Sequence, residues 1–231
     1  MFPDVPMMRM DTDTMRKPGS HERALASFRS GEIKILLGTQ MIAKGLDFPN
    51  VTLVGVINAD TALHLPDFRA AERTFGLVTQ VAGRTGRGEK GGRVLVQTFC
   101  PENDAIQAAT RHDYIGFANV EMPQREEFNY PPYGKLARVV IRSEIESKAE
   151  QMADHIAEEI ERAANEIEKE VTVLGPSTAP VEKLRGKFRF HMMISANKEN
   201  EIQDVLRRAK TTVKSIDDVQ WIIDIDPQDM M

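Results

Sequence analysis

Two arginines three residues apart, Arg84 and Arg87, stand in the run Gln80-Val81-Ala82-Gly83-Arg84-Thr85-Gly86-Arg87-Gly88. An arginine stays charged at any working pH and presents a planar fork of donors that fits phosphate oxygens. The glycines let the backbone approach a ligand closely. At the edge of one lobe, such a guanidinium can reach a nucleotide held by another. There it offsets charge developing on the γ-phosphate, an effect worth roughly three to five decades of rate. Gln80, four residues before Arg84, joins the two arginines as a candidate catalytic residue. Taken alone, the run also fits a solvated basic turn after a helix.

Upstream lies Gly38-Thr39-Gln40-Met41-Ile42-Ala43-Lys44-Gly45-Leu46-Asp47-Phe48-Pro49. A short apolar strand that ends in Gly-Thr-Gln puts a hydroxyl, an amide and backbone N–H groups at the carboxyl edge of a parallel sheet, where open α/β folds bind ligands. Thr39 and Gln40 can donate to phosphate and Lys44 adds a point charge, contacts that suit a nucleic-acid backbone gripped without regard to base sequence. Asp47 is placed to orient Arg87 or to contact a ribose. The alternative is an ordinary strand-to-loop turn. A third candidate is the alternation of Lys183, Arg185, Lys187 and Arg189 with Leu184, Gly186, Phe188 and Phe190. Strand alternation predicts the four cations on one face and the aromatic rings on the other. That row fits a DNA track, an acidic-peptide dock or a solvated hairpin face.

These residues need a frame. Apolar runs at 33–37, 51–57 and 94–99 predict strands, and a helix is expected over 22–28 with Ser20 as its cap. Helical spacing at Phe68, Ala71, Phe75, Val78 and Ala82 predicts a second helix, with Asp67 as its cap. Strands separated by helices imply a parallel sheet covered on both faces. Pro123 and Tyr130-Pro131-Pro132-Tyr133-Gly134 then break the pattern, so residues 123–134 are read as a linker. Beyond it, strands at 136–142, 171–174, 188–195 and 219–225 and helices at 147–169 and 198–215 give the order β-α-β-β-α-β. That is the ferredoxin-like split βαβ arrangement. The reading is therefore an α/β lobe over 1–122, its start cut inside a domain, and an α+β domain over 135–231.

Composition narrows the possibilities. A net charge of −5 argues against a uniformly basic coat, so nucleic-acid contacts must come from local patches. The stretch 144–170 carries ten acids against three bases and reads as a solvated face that would repel DNA. Cys100 is the only cysteine, which leaves no intrachain disulfide and no cysteine-built zinc cluster. Nothing at the start reads as a signal peptide, and no apolar run reaches the ~18 residues of a membrane span.

The run 80–88 and the run 38–49 are similar to motifs VI and V of superfamily 2 helicases. With Arg9–Thr14, Asp60–Leu63, Pro66–Arg73, Leu174-Gly175-Pro176 and Trp221–Pro227 in order, the chain resembles the C-terminal half of the PriA (primosomal protein N′) family of replication-restart helicases. The resemblance implies a RecA-like second motor lobe followed by a ferredoxin-like terminal domain. It implies an ATP-dependent enzyme that unwinds DNA 3′ to 5′ at stalled forks in the cytoplasm, in association with the nucleoid. Arg84, Arg87 and Gln80 would act in catalysis, Gly45 and Asp47 at the nucleotide, and Thr39, Gln40 and Lys44 on DNA. The partners implied are forked and single-stranded DNA, single-stranded DNA-binding protein, primosome proteins and a helicase loader, with no membrane.

The sequence departs from the family by omission. It has no GxxxxGK[ST] phosphate loop, since Gly83–Lys90 carries Glu89 where the lysine belongs, and no Asp-Glu-x-His pair for magnesium. ATP and magnesium would be bound mainly by a first lobe, and the zinc of the family would lie outside this chain, where the metal expectation is none. Gly86–Gly91 matches GxGxxG but leads into a strand, so a dinucleotide site is not expected. The chain alone is expected to lack ATPase activity. The rival readings are a stand-alone, non-enzymatic DNA- or protein-binding adaptor and the second lobe of another superfamily 2 translocase.

Overall fold

The structure is a computed structural model that describes residues 4–11, 19–39, 42, 50–83 and 91–230. It divides into two compact units. The first comprises Met1–Leu65 and Arg69–Phe117, the second Pro66–Phe68 and Ala118–Met231.

In the first unit, β1 (Met7–Met10), α1 (Ser20–Ser30), β2 (Ile35–Gly38), β3 (Leu53–Val56), α2 (Asp60–Leu63), α3 (Ala70–Ala82), β4 (Arg93–Val96) and α4 (Asp104–Thr110) follow in order. β1 pairs in parallel with β2 from Met7↔Ile35 to Met10↔Gly38, and β3 with β4 from Leu53↔Arg93 to Val56↔Val96. The residue at 38 must be small because β1 crosses it closely: a Cβ there would stand 2.5 Å from the Met10 carbonyl oxygen. α3 buries Phe75 and Val78 against Ala105, Ala108 and Ala109 of α4 and against Phe117, whose ring stacks on Phe75 at 4.7 Å. A smaller cluster gathers Met10, Ala24 and Leu25.

Three sequence expectations change here. β1 was not expected, because Met7-Met8-Arg9-Met10 has no β-branched residue; pairing with β2 supplies what intrinsic propensity lacks. Ser20 is not a cap, since Gly19 (φ 73°) precedes α1 and makes no side-chain bond. Asp67 does not cap α3, which begins three residues later at Ala70, and Phe68 lies outside that helix. The cap that does form is Asn103, whose side chain accepts the Ala105 N–H of α4 at 3.0 Å.

The division between units falls within α5 (Tyr114–Glu127), which runs through Pro123, where the sequence predicted a break. An interior proline removes one helical hydrogen bond. The buried Glu121–Arg125 ion pair brackets Pro123 and joins the turns on either side, with Nε and Nη2 donating to Oε1 at 3.0 and 2.9 Å.

The second unit continues with β5 (Lys135–Ser143), α6 (Glu146–Glu166), β6 (Thr172–Leu184), β7 (Lys187–Ala196), α7 (Glu199–Lys210) and β8 (Val219–Ile225). The strands form one antiparallel sheet in the order β6-β7-β5-β8. Both helices cover one face. Met152, Ile156 and Ile160 of α6 and Ile202, Val205 and Leu206 of α7 close on Val139, Ile141, Met192 and Ile194. Each such side chain taken from water contributes about 1.5–3 kcal/mol. β6 runs on through Gly175-Pro176, where a strand end was expected. It is an edge strand, and its register shifts between Leu174 and Ser177, so the proline removes no inward ladder bond.

Candidate functional site

In the first unit the candidate residues lie about strand ends. Thr39 follows β2, is exposed, and its carbonyl accepts the Ile42 N–H at 3.1 Å. Gln80 is half-buried on the last turn of α3, which stops at Gly83. Gln40, Lys44, Gly45, Asp47, Arg84 and Arg87 lie outside the described residues. Asp60, just beyond β3, is a residue whose role sequence reasoning missed. Its carboxylate accepts Thr98 Oγ1 at 2.8 Å and the Phe99 N–H at 3.0 Å, fastening the exit of β3 to that of β4. The Phe99 bond above all, and then the Thr98 bond, hold its carboxyl below the usual carboxylate range. His64 and Cys100 bring ligand-type atoms within 4.8 Å of this carboxylate. His64 is exposed, and both Asp60 oxygens already serve the loop after β4.

In the second unit the basic row does not form as expected. β6 and β7 are joined by the two-residue turn Arg185-Gly186, both at positive φ (51° and 84°). The pairs beside it are Leu184↔Lys187 and Lys183↔Phe188. Directly opposed residues of an antiparallel pair share a face, so the turn reverses the alternation. Lys183 joins Phe188, with its ammonium 4.1 Å from the ring centroid. Lys187 and Arg189 fall on the other face. Continuous alternation across the turn would have kept all four together; the turn splits them.

That other face is the one α6 and α7 leave uncovered. Period-2 alternation along β5 brings Arg138, Val140 and Arg142 to it, with Arg142 opposite Arg189 and Val140 opposite His191. The cross-strand neighbours on β8 are Asp224, Ile222 and Gln220. The side chains enclose a shallow concavity of about 470 Å³. Five cations line it (Arg138, Arg142, Arg185, Lys187 and Arg189) and two acids, Asp224 and Asp229. Arg138 is 3% exposed and donates to the Asp229 carbonyl at 3.1 Å; burial and then Arg189 lower its pKa, against Asp229, Asp224 and Asp67. Lys187 Nζ donates to Gln220 at 3.2 Å. His191 is pushed below its ordinary pKa by burial first, then by Arg138 and Arg189, so it stays neutral between two guanidiniums. Arg138, Arg142 and His191 were missed in the sequence. The signal was present, because 138 and 142 share the parity opposite to the buried residues of their strand.

The segment Pro66–Phe68 also belongs to this unit. Phe68 stacks on Tyr130 at 4.9 Å, with the Arg125 guanidinium 5.3 Å from the Phe68 centroid. Asp67 accepts the Met230 N–H at 3.3 Å. Among the described residues, no helix is long and apolar enough to cross a membrane.

Comparison with known proteins follows the same division. Residues 5–89 match the helicase conserved C-terminal domain family, and residues 126–228 the primosomal protein N C-terminal domain family. The chain is similar to the replication restart protein PriA of Bacillus subtilis (strain 168), with 45% identity over 90% of this chain and 26% of that protein. It is 41% identical to that of Synechocystis sp. (strain ATCC 27184 / PCC 6803 / Kazusa) over 98% of this chain and 27% of the relative. For Chlamydia muridarum (strain MoPn / Nigg) the figures are 37%, 98% and 30%. The chain thus spans between a quarter and a third of the length of these relatives. By its two successive domain matches and by similarity along nearly its whole length, the chain belongs to the PriA family of replication restart proteins.

Proposed function

We propose that this chain supplies the second, RecA-like motor lobe and the ferredoxin-like terminal domain of a 3′-to-5′ DNA helicase that rebuilds primosomes at stalled forks. One observation carries the reading: a helicase match followed by a primosomal match, in a chain aligned almost end to end with replication restart proteins. The parallel pairs of the first unit and the β6-β7-β5-β8 order of the second support the two fold assignments. The functional division taken is a lobe over about 1–122, a connector over 123–134 and a terminal domain over 135–231.

In this reading Arg84 and Arg87 stabilise charge on the γ-phosphate, with Gln80 one helical turn before them. Gly45 and Asp47 stand at the nucleotide; Thr39, Gln40 and Lys44 hold the DNA backbone. ATP and magnesium are held mainly by a first lobe, and zinc outside this chain. Forked and single-stranded DNA, single-stranded DNA-binding protein, primosome proteins and a helicase loader are the partners, in the cytoplasm at the nucleoid. The 231-residue chain alone does not hydrolyse ATP, because its sequence offers no phosphate loop.

The test is phosphate release with fork DNA. The chain alone gives background turnover. In a protein joining both lobes, Arg87→Ala lowers kcat by roughly two decades or more with nucleotide binding kept. An unchanged kcat would remove the arginine from the mechanism.

A further inference from the structure

We infer that the uncovered face of the terminal sheet, at its hairpin end, is a binding site for a single nucleic-acid strand, held by its phosphates without base stacking. The residues that form it are Arg142, Arg185, Lys187 and Arg189. The choice of nucleic acid among polyanions rests on the helicase reading; the cationic site itself rests on geometry.

Three observations carry it. First, charge is sorted along the face. Asp224 pairs with Arg138 in register, and the Asp229 carbonyl accepts from Arg138, so both acids stand at that end. At the hairpin end Arg142 faces Arg189 on one side and the uncharged Gln220 on the other. Four cations therefore gather in a chain whose net charge is −5. Second, the spacing suits a linear polyanion. Lys187 and Arg189 are two residues apart on one strand, about 6.6 Å, and Arg142 lies on the adjacent strand about 4.8 Å away. Guanidiniums bind phosphate by two parallel bonds, which favours phosphodiesters along such a path. Third, the aromatic residues of these strands are elsewhere. Phe190 and Trp221 point into the helix-covered core, and Phe188 lies under Lys183 on that same side. The open face offers Val140, Ile222 and Leu184 in their place, so it lacks the stacking platform that reads bases.

An acidic peptide fits less well. β5 and β7, which carry Arg142, Lys187 and Arg189, each have a hydrogen-bonded neighbour on both sides. A peptide there could not add as a strand and would have side-chain contacts alone.

The experiment is fluorescence anisotropy of the full 231-residue chain with a labelled oligothymidine, at several salt concentrations. Four cations give a log–log salt slope of about −2 to −3 for a single strand. Arg142→Glu with Arg189→Glu is expected to weaken binding about tenfold or more and to flatten the slope by about 1 to 1.5. Lys183→Glu and Lys210→Glu, off this face, are expected to stay within about twofold. Replacing thymidine by adenosine leaves affinity unchanged. Circular dichroism checks folding, and Arg142→Gln with Arg189→Gln gives the same ranking should the double glutamate variant unfold. Equal losses in all variants would make the binding undirected electrostatics and overturn the site. Oligonucleotide binding untouched by the double variant would do the same. Binding of a labelled acidic peptide, lost in the double variant while the oligonucleotide never bound, would make the face a protein dock and overturn the choice of nucleic acid. The combination Thr39→Ala with Lys44→Ala removes the motor-lobe contacts and leaves this site. Failure of the face is thereby separated from failure of the helicase reading, which the phosphate-release assay tests alone.

Discussion

The two units hold their strands in different ways. In the terminal unit Val139, Ile141, Met192 and Ile194 are fully buried beneath two amphipathic helices, in one continuous core. In the motor unit the parallel strands leave Leu53 57% exposed and Leu95 62%, and the buried residues fall into two small clusters. Parallel strands are ordinarily covered on both faces. One unit is therefore fixed by its own side-chain packing. The other depends more on point fastenings, such as the Asp60 carboxylate that ties the ends of β3 and β4. The first should be robust to pH and sensitive to core volume, the second the reverse, with one exception at His191.

The single tryptophan, Trp221, reports the terminal unit by fluorescence, whereas far-ultraviolet dichroism reports both. The largest effect is expected from Ile160→Ala, which removes a fully buried side chain of α6. It should lower the urea stability of the Trp221 transition by about 2–5 kcal/mol and leave the motor transition in place. Coincident shifts of both transitions would mean that the units unfold as one, and the contrast would fail. Next comes Asp60→Asn, whose side chain cannot accept two hydrogen bonds at two carboxylate oxygens. Asp60 has a depressed carboxyl pKa, so its contribution is present above the ordinary value of 3.8 and is lost as pH falls through the folded value. The motor transition should weaken at neutral pH in the variant and lose its acid limb. The smallest effect is the exception. His191 is depressed in the folded state, so the unfolded chain takes up the proton first as pH falls below its ordinary 6.5. Terminal-unit stability should therefore decline from about pH 6.5 downward. His191→Gln should flatten that decline, and an unaltered profile would remove His191 as its cause.

The same contrast explains what the sequence made legible. α6, α7 and β8 followed from the buried stripe Met152, Ile156 and Ile160, from Ile202, Val205 and Leu206, and from the run 219–225, because burial on one side writes itself into periodicity. β1 did not, since four residues without β-branching become a strand only through the partner β2. α5 ran through a proline because a buried ion pair, non-local to any pattern, bridged it. Of the candidate site, the type of each cation could be read, but its side of the sheet could not, because a turn with two left-handed residues changed the parity between Lys183 and Lys187.

That two-residue turn behaves as a reading frame for side chains. β7 is anchored by β5 and the core, so its Lys187 and Arg189 cannot change sides. β6 is an edge strand whose phase is set by the hairpin connection. One residue inserted between Arg185 and Gly186, with β6 slipping by one position to keep its pairing, would turn Lys183 to the open face and carry Leu184 away. Loop length at a single point would then redistribute charge between the faces of the arm with every existing residue kept. Substitutions and insertions at positions 185–186 are therefore different classes of change, the second acting on the whole strand.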